Sequence, residues 1–293
     1  MEDNNLHIPV MVDEVISFLS SVSEGLMVDC TVGTGGHSKA ILERFKGIQL
    51  IAVDRDREAL AIAKERLLVF ASRCRFVKNN YREIDNFLPQ LNIFKADAFL
   101  VDLGISSLQI TKPERGFSIR YDGPLDMRMD FETGTPLSEI LPYLTRSQIQ
   151  NIISLYGEEK KSDKIASLIY LERHKIKTTG DLKQIVEKAI GYQRGKIHPA
   201  TRVFQAFRIY INQELDSLKE FLSKSIDYIN IHGKIIIISY HSLEDRLIKK
   251  YFKDLEIKGR GKVLTHKVIK PGREEILINP RARSAKMRVL EVV

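Results

Sequence analysis

Tryptophan is missing from this chain, and cysteine occurs only twice in 293 residues, as Cys30 and Cys74. Two isolated thiols give neither a disulfide framework nor the paired spacing of a zinc site. The seven histidines contain no His-x-x-x-His pair, so no metal is expected. No apolar run approaches the roughly 20 residues that a bilayer span needs, and the N-terminus shows no signal-peptide apolar region. The expected compartment is the cytoplasm, with no membrane partner. A G-x-x-x-x-G-K-[ST] loop is also lacking, which disfavours a nucleoside triphosphate. Internal repeats and low-complexity tracts are absent as well.

What is present fits a soluble globular chain: 43% of residues are hydrophobic and 29% charged. The length accommodates one large domain or a domain carrying an insertion. The net charge is +8, and it is unevenly spread. From His241 to Val293, 14 Lys and Arg stand against 7 Asp and Glu, a clustering that suits a polyanionic partner.

The most informative stretch runs from Leu26 to Ser38. An apolar run ends in Asp29, a turn follows with Gly33, Gly35 and Gly36, and Ser38 opens a helical pattern. This is strand, turn, helix. A second apolar run, Ile48 to Val53, ends in Asp54, eighteen residues past Gly36. That is about the spacing at which a carboxylate reaches a nucleotide ribose in a βαβ unit. A dinucleotide site would need a third glycine where Ser38 stands, so that a pyrophosphate could approach the helix N-terminus. Asp29 would also repel phosphate, whereas it suits a ligand carrying an ammonium and a sulfonium. S-adenosylmethionine has both.

Further strands are expected at Arg75 to Val77 and Ala98 to Val101, with a helix over Arg57 to Val69 between the second and third. Tyr81 follows the third strand, where it could stack on an adenine. Asp102-Leu-Gly-Ile-Ser-Ser follows the fourth, at the sheet edge where doubly wound folds bind ligands. From Ile110 the α/β alternation stops. A polar, glycine-bearing loop carries Asp126, and long ordered loops are often lids. Helical patterns then cover Ser138 to Leu155, Lys161 to His174 and Asp181 to Ile190, the last with Thr179 as N-cap, and a long helix spans Ala200 to Ile229. The α/β pattern resumes with an apolar strand at Lys234 to Ser239 and a helix from His241. Strands at Val263 to Ile269 and Lys286 to Val293 bring the total to seven. The expected fold is a Rossmann-like, class I methyltransferase α/β sheet of seven strands. Residues 1–109 and 210–293 form the discontinuous methyltransferase domain, and 110–209 form a lid loop and an inserted all-helical domain for substrate recognition.

The motifs Gly35-Gly-His-Ser, Asp54-Arg-Asp, Asp102-Leu-Gly-Ile-Ser-Ser, Arg115-Gly-Phe-Ser and Leu125-Asp-Met-Arg-Met-Asp occur in that order. Tyr156-Gly-Glu-Glu, His198-Pro-Ala-Thr-Arg, Phe204-Gln-Ala-Phe-Arg, His241-Ser-Leu-Glu-Asp-Arg and Asn279-Pro-Arg-Ala-Arg-Ser-Ala-Lys follow. As a set they resemble the ribosomal RNA small subunit methyltransferase H family, almost end to end. The resemblance implies S-adenosylmethionine-dependent methylation of N4 of a cytidine in the decoding centre of 16S ribosomal RNA, within the small ribosomal subunit. It further implies that Gly35, Gly36 and His37 line the methionine moiety, that Asp54 holds the ribose, and that Asp102 and Gln109 contact the cofactor. Tyr81 stands where the family commonly has Phe, a change that keeps the stacking ring.

Cytosine N4 is a weak nucleophile because its lone pair is delocalised into the ring. Acceptors must hold its hydrogens and take a proton. Asp102 or the carbonyls of its turn are the expected acceptors, with Asp126 as the second candidate. Methylation at C5 would need a cysteine nucleophile, and neither Cys30 nor Cys74 lies in a Pro-Cys loop. DNA amino-methyltransferases carry Pro-Pro and an aromatic after the acid or amide of strand four, unlike Asp102-Leu-Gly-Ile, so DNA is not the expected substrate. Arg281, Arg283, Lys286 and Arg288 are expected on phosphates, and Arg194, Lys196, His198 and Arg202 around a base turned out of its stack. A non-catalytic S-adenosylmethionine-binding ribosome assembly factor and an NAD-dependent oxidoreductase are the rival classes. Monomer and homodimer both remain open.

Overall fold

The computed structural model describes residues 8–191 and 198–293. The chain forms two compact units, one of residues up to Gly104 together with Leu215–Val293, the other Ile105–Glu214.

The first unit is a seven-stranded sheet of order β3-β2-β1-β4-β5-β7-β6. Its first half comprises α1 (Val12–Leu19), β1 (Glu24–Asp29), α2 (Gly36–Arg44), β2 (Gly47–Asp54), α3 (Arg57–Arg66), β3 (Cys74–Lys78), α4 (Ile84–Gln90) and β4 (Ala96–Asp102). These four strands are parallel, with β1 between β2 and β4. Successive residues of each central strand enter opposite cores. Met27, Ala52, Ala98 and Leu100 face one cluster with Leu19, Ile41 and Leu42, whereas Val28, Val53, Phe99 and Val101 face another with Phe87 and Phe221. Burial on both faces explains why these strands read as unbroken apolar runs.

The second unit begins with α5 (Ser107–Thr111), a polar loop, α6 (Leu137–Ile140), α7 (Arg146–Gly157), α8 (Ser162–Glu172) and α9 (Thr179–Ile190). It closes with α10 (Ala200–Asn212) around a core of its own that includes Leu125, Ile153, Ile169 and Phe207. The single helix expected over Ser138 to Leu155 is two, because Pro142 interrupts it and Thr145 starts α7. The N-cap of α9 is Thr178 rather than Thr179, in a reciprocal capping box with Asp181.

The helix expected from Ala200 to Ile229 also divides. Gln213 adopts a left-handed conformation (φ 50°) between α10 and α11 (Glu214–Ser225). Phe204 and Phe207 of α10 bury in the helical core, while Leu218, Phe221 and Leu222 of α11 bury against the sheet. One unbroken helix has no reason to change partners, but a helical periodicity cannot show which core each half enters.

The sheet then completes with β5 (Ile229–Ser239), α12 (Ser242–Ile257), β6 (Gly261–Val263), α13 (Arg273–Ile278) and β7 (Lys286–Val292). At this edge β7 runs antiparallel to both β5 and β6. Only Gly261–Val263 of the sixth strand is regular. Beyond it the Thr265 hydroxyl accepts from the Val289 N–H (2.9 Å), and Ile269 forms one isolated bridge to Met287. The predicted seven-stranded class I sheet is therefore the observed one.

Candidate active site

Register places three acidic residues around the loop after β1. Asp29 pairs with Ala52 of β2 and Leu100 of β4, so Asp54 and Asp102 each stand two residues further out on the flanking strands. Backbone bonds then fasten the loop to both neighbours: Cys30 N–H donates to the Leu100 carbonyl (2.8 Å) and Val32 N–H to the Val53 carbonyl (2.9 Å).

Asp29 does not line the loop surface. It is 1% exposed and accepts from the Ser38 hydroxyl (2.6 Å) and the Thr31 N–H (3.3 Å). Burial raises its pKa, and Ser38 opposes that shift. A third glycine in place of Ser38 would remove this donor, which gives the departure from a dinucleotide fingerprint a structural cause. Asp29 thus braces the turn from beneath.

Gly33 and Gly35 have φ of 53° and 84°, left-handed conformations that glycine adopts without a Cβ penalty. Gly36 opens α2, and a Cβ there would lie 3.2 Å from the Pro9 ring. Above Gly33 a Cβ would meet nothing nearer than the Thr31 carbonyl oxygen at 3.9 Å, so that face of the loop has room for a ligand.

Asp54 closes the loop from the β2 side. Its Oδ2 accepts from Gly33 N–H (2.8 Å) and its Oδ1 from Asp56 N–H (2.9 Å). Each oxygen keeps a second acceptor direction. Burial pushes its pKa up to about 6, against those two N–H groups. The Asp54 carbonyl accepts from Asn79 N–H (3.0 Å), which sets Tyr81 two residues beyond this strand tip. Tyr81 is half-buried, with its ring edge-on to Phe221 at 5.6 Å.

Asp102 stands on the other flank. Its N–H donates to the Thr31 hydroxyl (2.7 Å), and its Oδ1 accepts from the Tyr240 hydroxyl (2.8 Å). Its Oδ2 lies 3.8 Å from His37 Nδ1. Burial pushes its pKa up to about 6, opposed first by His37 and then by Tyr240. The structure thus joins Gly35, Gly36, His37, Asp54 and Asp102 around one loop.

The remaining candidates belong to the helical unit. Gln109 is buried and forms a reciprocal capping box with Ser106 at the start of α5. Asp126 is 8% exposed, and both of its oxygens bind the Arg128 guanidinium (2.9 and 2.8 Å). Arg128 also donates to the carbonyls of Phe131 and Gly134, so Asp126 anchors a loop built on Arg128.

The basic residues expected on phosphates divide. Arg288 is 6% exposed and donates to Asp245 (2.7 Å), and Lys286 approaches the same carboxylate (3.6 Å). Arg288 is thus an internal group of the sheet edge and Lys286 is half-buried beside it, whereas Arg281 and Arg283 are exposed. His198 pairs with Glu187 (2.8 Å) and Arg202 with Glu159 (3.4 Å). Arg194 and Lys196 lie outside the described residues. The two thiols are buried, which raises the Cys30 pKa well above its ordinary value and that of Cys74 to about 12. Neither offers a thiolate for attack on a base.

Sequence reasoning missed Tyr240 and Asn212. Tyr240 directly follows β5 at the same sheet edge as Asp54 and Asp102, a position from which it could have been nominated. Asn212 accepts from Met129 N–H (2.8 Å) and donates to the carbonyls of Met127 (2.7 Å) and Arg208 (2.9 Å). Nothing local marks it, because its partners in the loop, Met127 and Met129, are over eighty residues away in sequence.

The model of the MraW methylase family matches residues 4–293. Ribosomal RNA small subunit methyltransferase H of Thermotoga neapolitana is 43% identical over 291 residues, which is 98% of this chain and 96% of that one. Its namesake in Trichodesmium erythraeum is 44% identical over 287 residues, covering 97% and 98%. Among solved structures, an rRNA methylase from Streptococcus thermophilus superposes with a TM-score of 0.44 at 12% identity, covering 98% of this chain and 99% of that one. With one family description spanning nearly every residue and relatives matching along almost their full length, the chain belongs to the MraW methylase family and is a methyltransferase.

Proposed function

We propose that this methyltransferase uses S-adenosylmethionine to methylate N4 of a cytidine in the decoding centre of 16S ribosomal RNA. The observation that carries the reading is the pair of carboxylates, Asp54 and Asp102, at the tips of the strands on either side of the glycine loop. A phosphate would be repelled there, whereas a ligand with an ammonium, a sulfonium and ribose hydroxyls finds acceptors for each. The names and full-length identity of the relatives support ribosomal RNA as substrate.

In this reading Asp54 accepts from the ribose, Gly35, Gly36 and His37 border the methionine portion, and Tyr81 offers its ring to the adenine. Gln109 contributes a cofactor contact from the start of α5. When bound, S-adenosylmethionine supplies the methyl group and a sulfonium that accepts the electron pair of the broken bond. The chain's own work is to align the amine, exclude water and take the surplus proton. Asp102 Oδ2 is assigned that proton, since Asp126 is held by Arg128 on both oxygens. The helical unit and its Arg128-centred loop serve substrate recognition, with the target base turned out of its stack. Arg281 and Arg283 meet phosphates, which makes binding salt-dependent. The substrate is the small ribosomal subunit in the cytoplasm.

The test is incubation with labelled S-adenosylmethionine and small subunits lacking the modification, followed by mass spectrometry of the nucleosides. Label in N4-methylcytidine is expected. Label in any other nucleoside, or binding of the donor with no transfer, rejects the assignment, and the second outcome favours an assembly factor instead.

Donor binding should also release protons. Asp54 and Asp102 titrate near pH 6, where both are partly protonated, and a bound cation favours their ionised forms. Calorimetry at pH 6 in buffers of differing ionisation enthalpy should show proton release that fades by pH 8. Heats that do not depend on the buffer would remove these carboxylates from the donor site.

A further inference from the structure

We propose that His37 shares the proton taken by Asp102, and that Tyr240 positions the carboxylate for this exchange. The proposal rests on the reading of Asp102 as proton acceptor and adds the route by which that proton leaves.

The His37 tautomer is set by its other nitrogen. Nε2 lies 2.8 Å from the Val10 carbonyl oxygen, which has no proton to give. Nε2 must therefore carry the hydrogen, and the Nδ1 of the neutral ring presents a lone pair. That lone pair faces Asp102 Oδ2 at 3.8 Å. Two acceptors thus confront each other beside a carboxylate whose side chain is 17% exposed. Such a pair is short of one proton.

Tyr240 determines which oxygen receives it. Its phenol donates to Oδ1 (2.8 Å), and its ring lies over the Asp102 turn, where a Cβ on Gly104 would touch it at 3.5 Å. With Oδ1 occupied, Oδ2 is the oxygen left to accept. Methylated N4 carries one hydrogen too many. Its N–H bond breaks and an O–H bond forms at Oδ2. That O–H then breaks as an N–H forms at Nδ1, directly after the gap tightens or through one bridging water. The imidazolium that results is stabilised by the Val10 carbonyl on one side and the regenerated carboxylate on the other, and it loses its proton to solvent.

The groups acting on Asp102 from every packed element are consistent with this role. Tyr240 from the end of β5 favours the carboxylate, as does His37 from α2 once it is an imidazolium, whereas Asp29 from β1 and Glu244 from α12 oppose it. The acceptor is balanced between forms rather than fixed in one.

Nitrogen-15 NMR of His37 in the ligand-free wild-type protein should report the Nε2–H tautomer; the Nδ1–H tautomer overturns the proposal without any variant. Carbon-13 titration of the Asp102 carboxyl should show its midpoint rising by roughly one pH unit in Tyr240→Phe, which lacks the donor to the ionised form. The acidic limb of single-turnover methylation should rise with it. His37→Gln keeps an N–H for Val10 but has no basic nitrogen. At saturating S-adenosylmethionine it should methylate at least roughly 10²-fold more slowly. A rate like the wild type at donor saturation overturns the relay. Asp102→Asn separates the two ideas. If it is inactive while both other variants keep the wild-type rate and midpoint, the relay alone falls. If it is fully active, the underlying role of Asp102 falls.

Discussion

Replacing Asp102 with Ala should lower methyl transfer by roughly 10²- to 10⁴-fold, the range that a positioned proton acceptor contributes. Donor affinity should fall as well, since the variant removes one of the two carboxylates beside the glycine loop. The pH dependence of the wild type gives the sign. Burial holds the Asp102 pKa up at about 6, above its ordinary 3.8, so the active carboxylate is lost as pH falls through about 6. Activity should therefore rise across that point and level off above pH 7. The Ala variant should lack this limb altogether. Single-turnover rates between pH 5 and pH 8, with donor binding followed separately, measure both effects. Wild-type turnover in the variant would reject Asp102 as the acceptor.

The second large effect is on the helical unit. Asn212 is 3% exposed and is the buried fastening between α10 and the loop at Met127 and Met129. Asn212→Leu keeps the approximate volume but leaves the Met129 N–H and the Met127 carbonyl without their partner. Each stranded buried group costs about 1–3 kcal/mol, so the loss should be on the order of 3 kcal/mol. The damage should be local. Hydrogen exchange at Met129 should accelerate by roughly 10²-fold, the equivalent of about 2.7 kcal/mol in an opening equilibrium, while amides of the sheet stay protected. If the loop is part of substrate recognition, methylation of small subunits should weaken while donor affinity is retained. Unchanged exchange at Met129 would show that Asn212 does not hold the loop.

Much of the fold was legible because burial leaves a local imprint. β5 presents Ile235-Ile236-Ile237-Ile238 without a polar interruption, since alternate residues enter the two cores of the sheet. The glycine loop and the acidic strand ends were equally readable, because Gly33 and Gly35 need left-handed backbone and Asp54 sits where strand length puts it. What failed to read was whatever depended on a distant partner. The α10–α11 break, the burial of Asp29 under Ser38 and the commitment of Arg288 and Lys286 to Asp245 belong to this class. A lysine or arginine looks the same in sequence whether it faces solvent or an aspartate forty residues away.

The succession of strands along the chain, the residue types at their tips and the family were determined by sequence alone, because periodicity, turn chemistry and motif order are properties of consecutive residues. Only the tertiary structure decided how the acids differ. Asp29 is sealed beneath the turn, Asp126 is bound to Arg128, and Asp102 keeps one oxygen between His37 and the surface. The reason is that a carboxylate's chemistry is set by its neighbours in space, through desolvation and hydrogen bonding, and those neighbours are chosen by packing rather than by proximity in the chain.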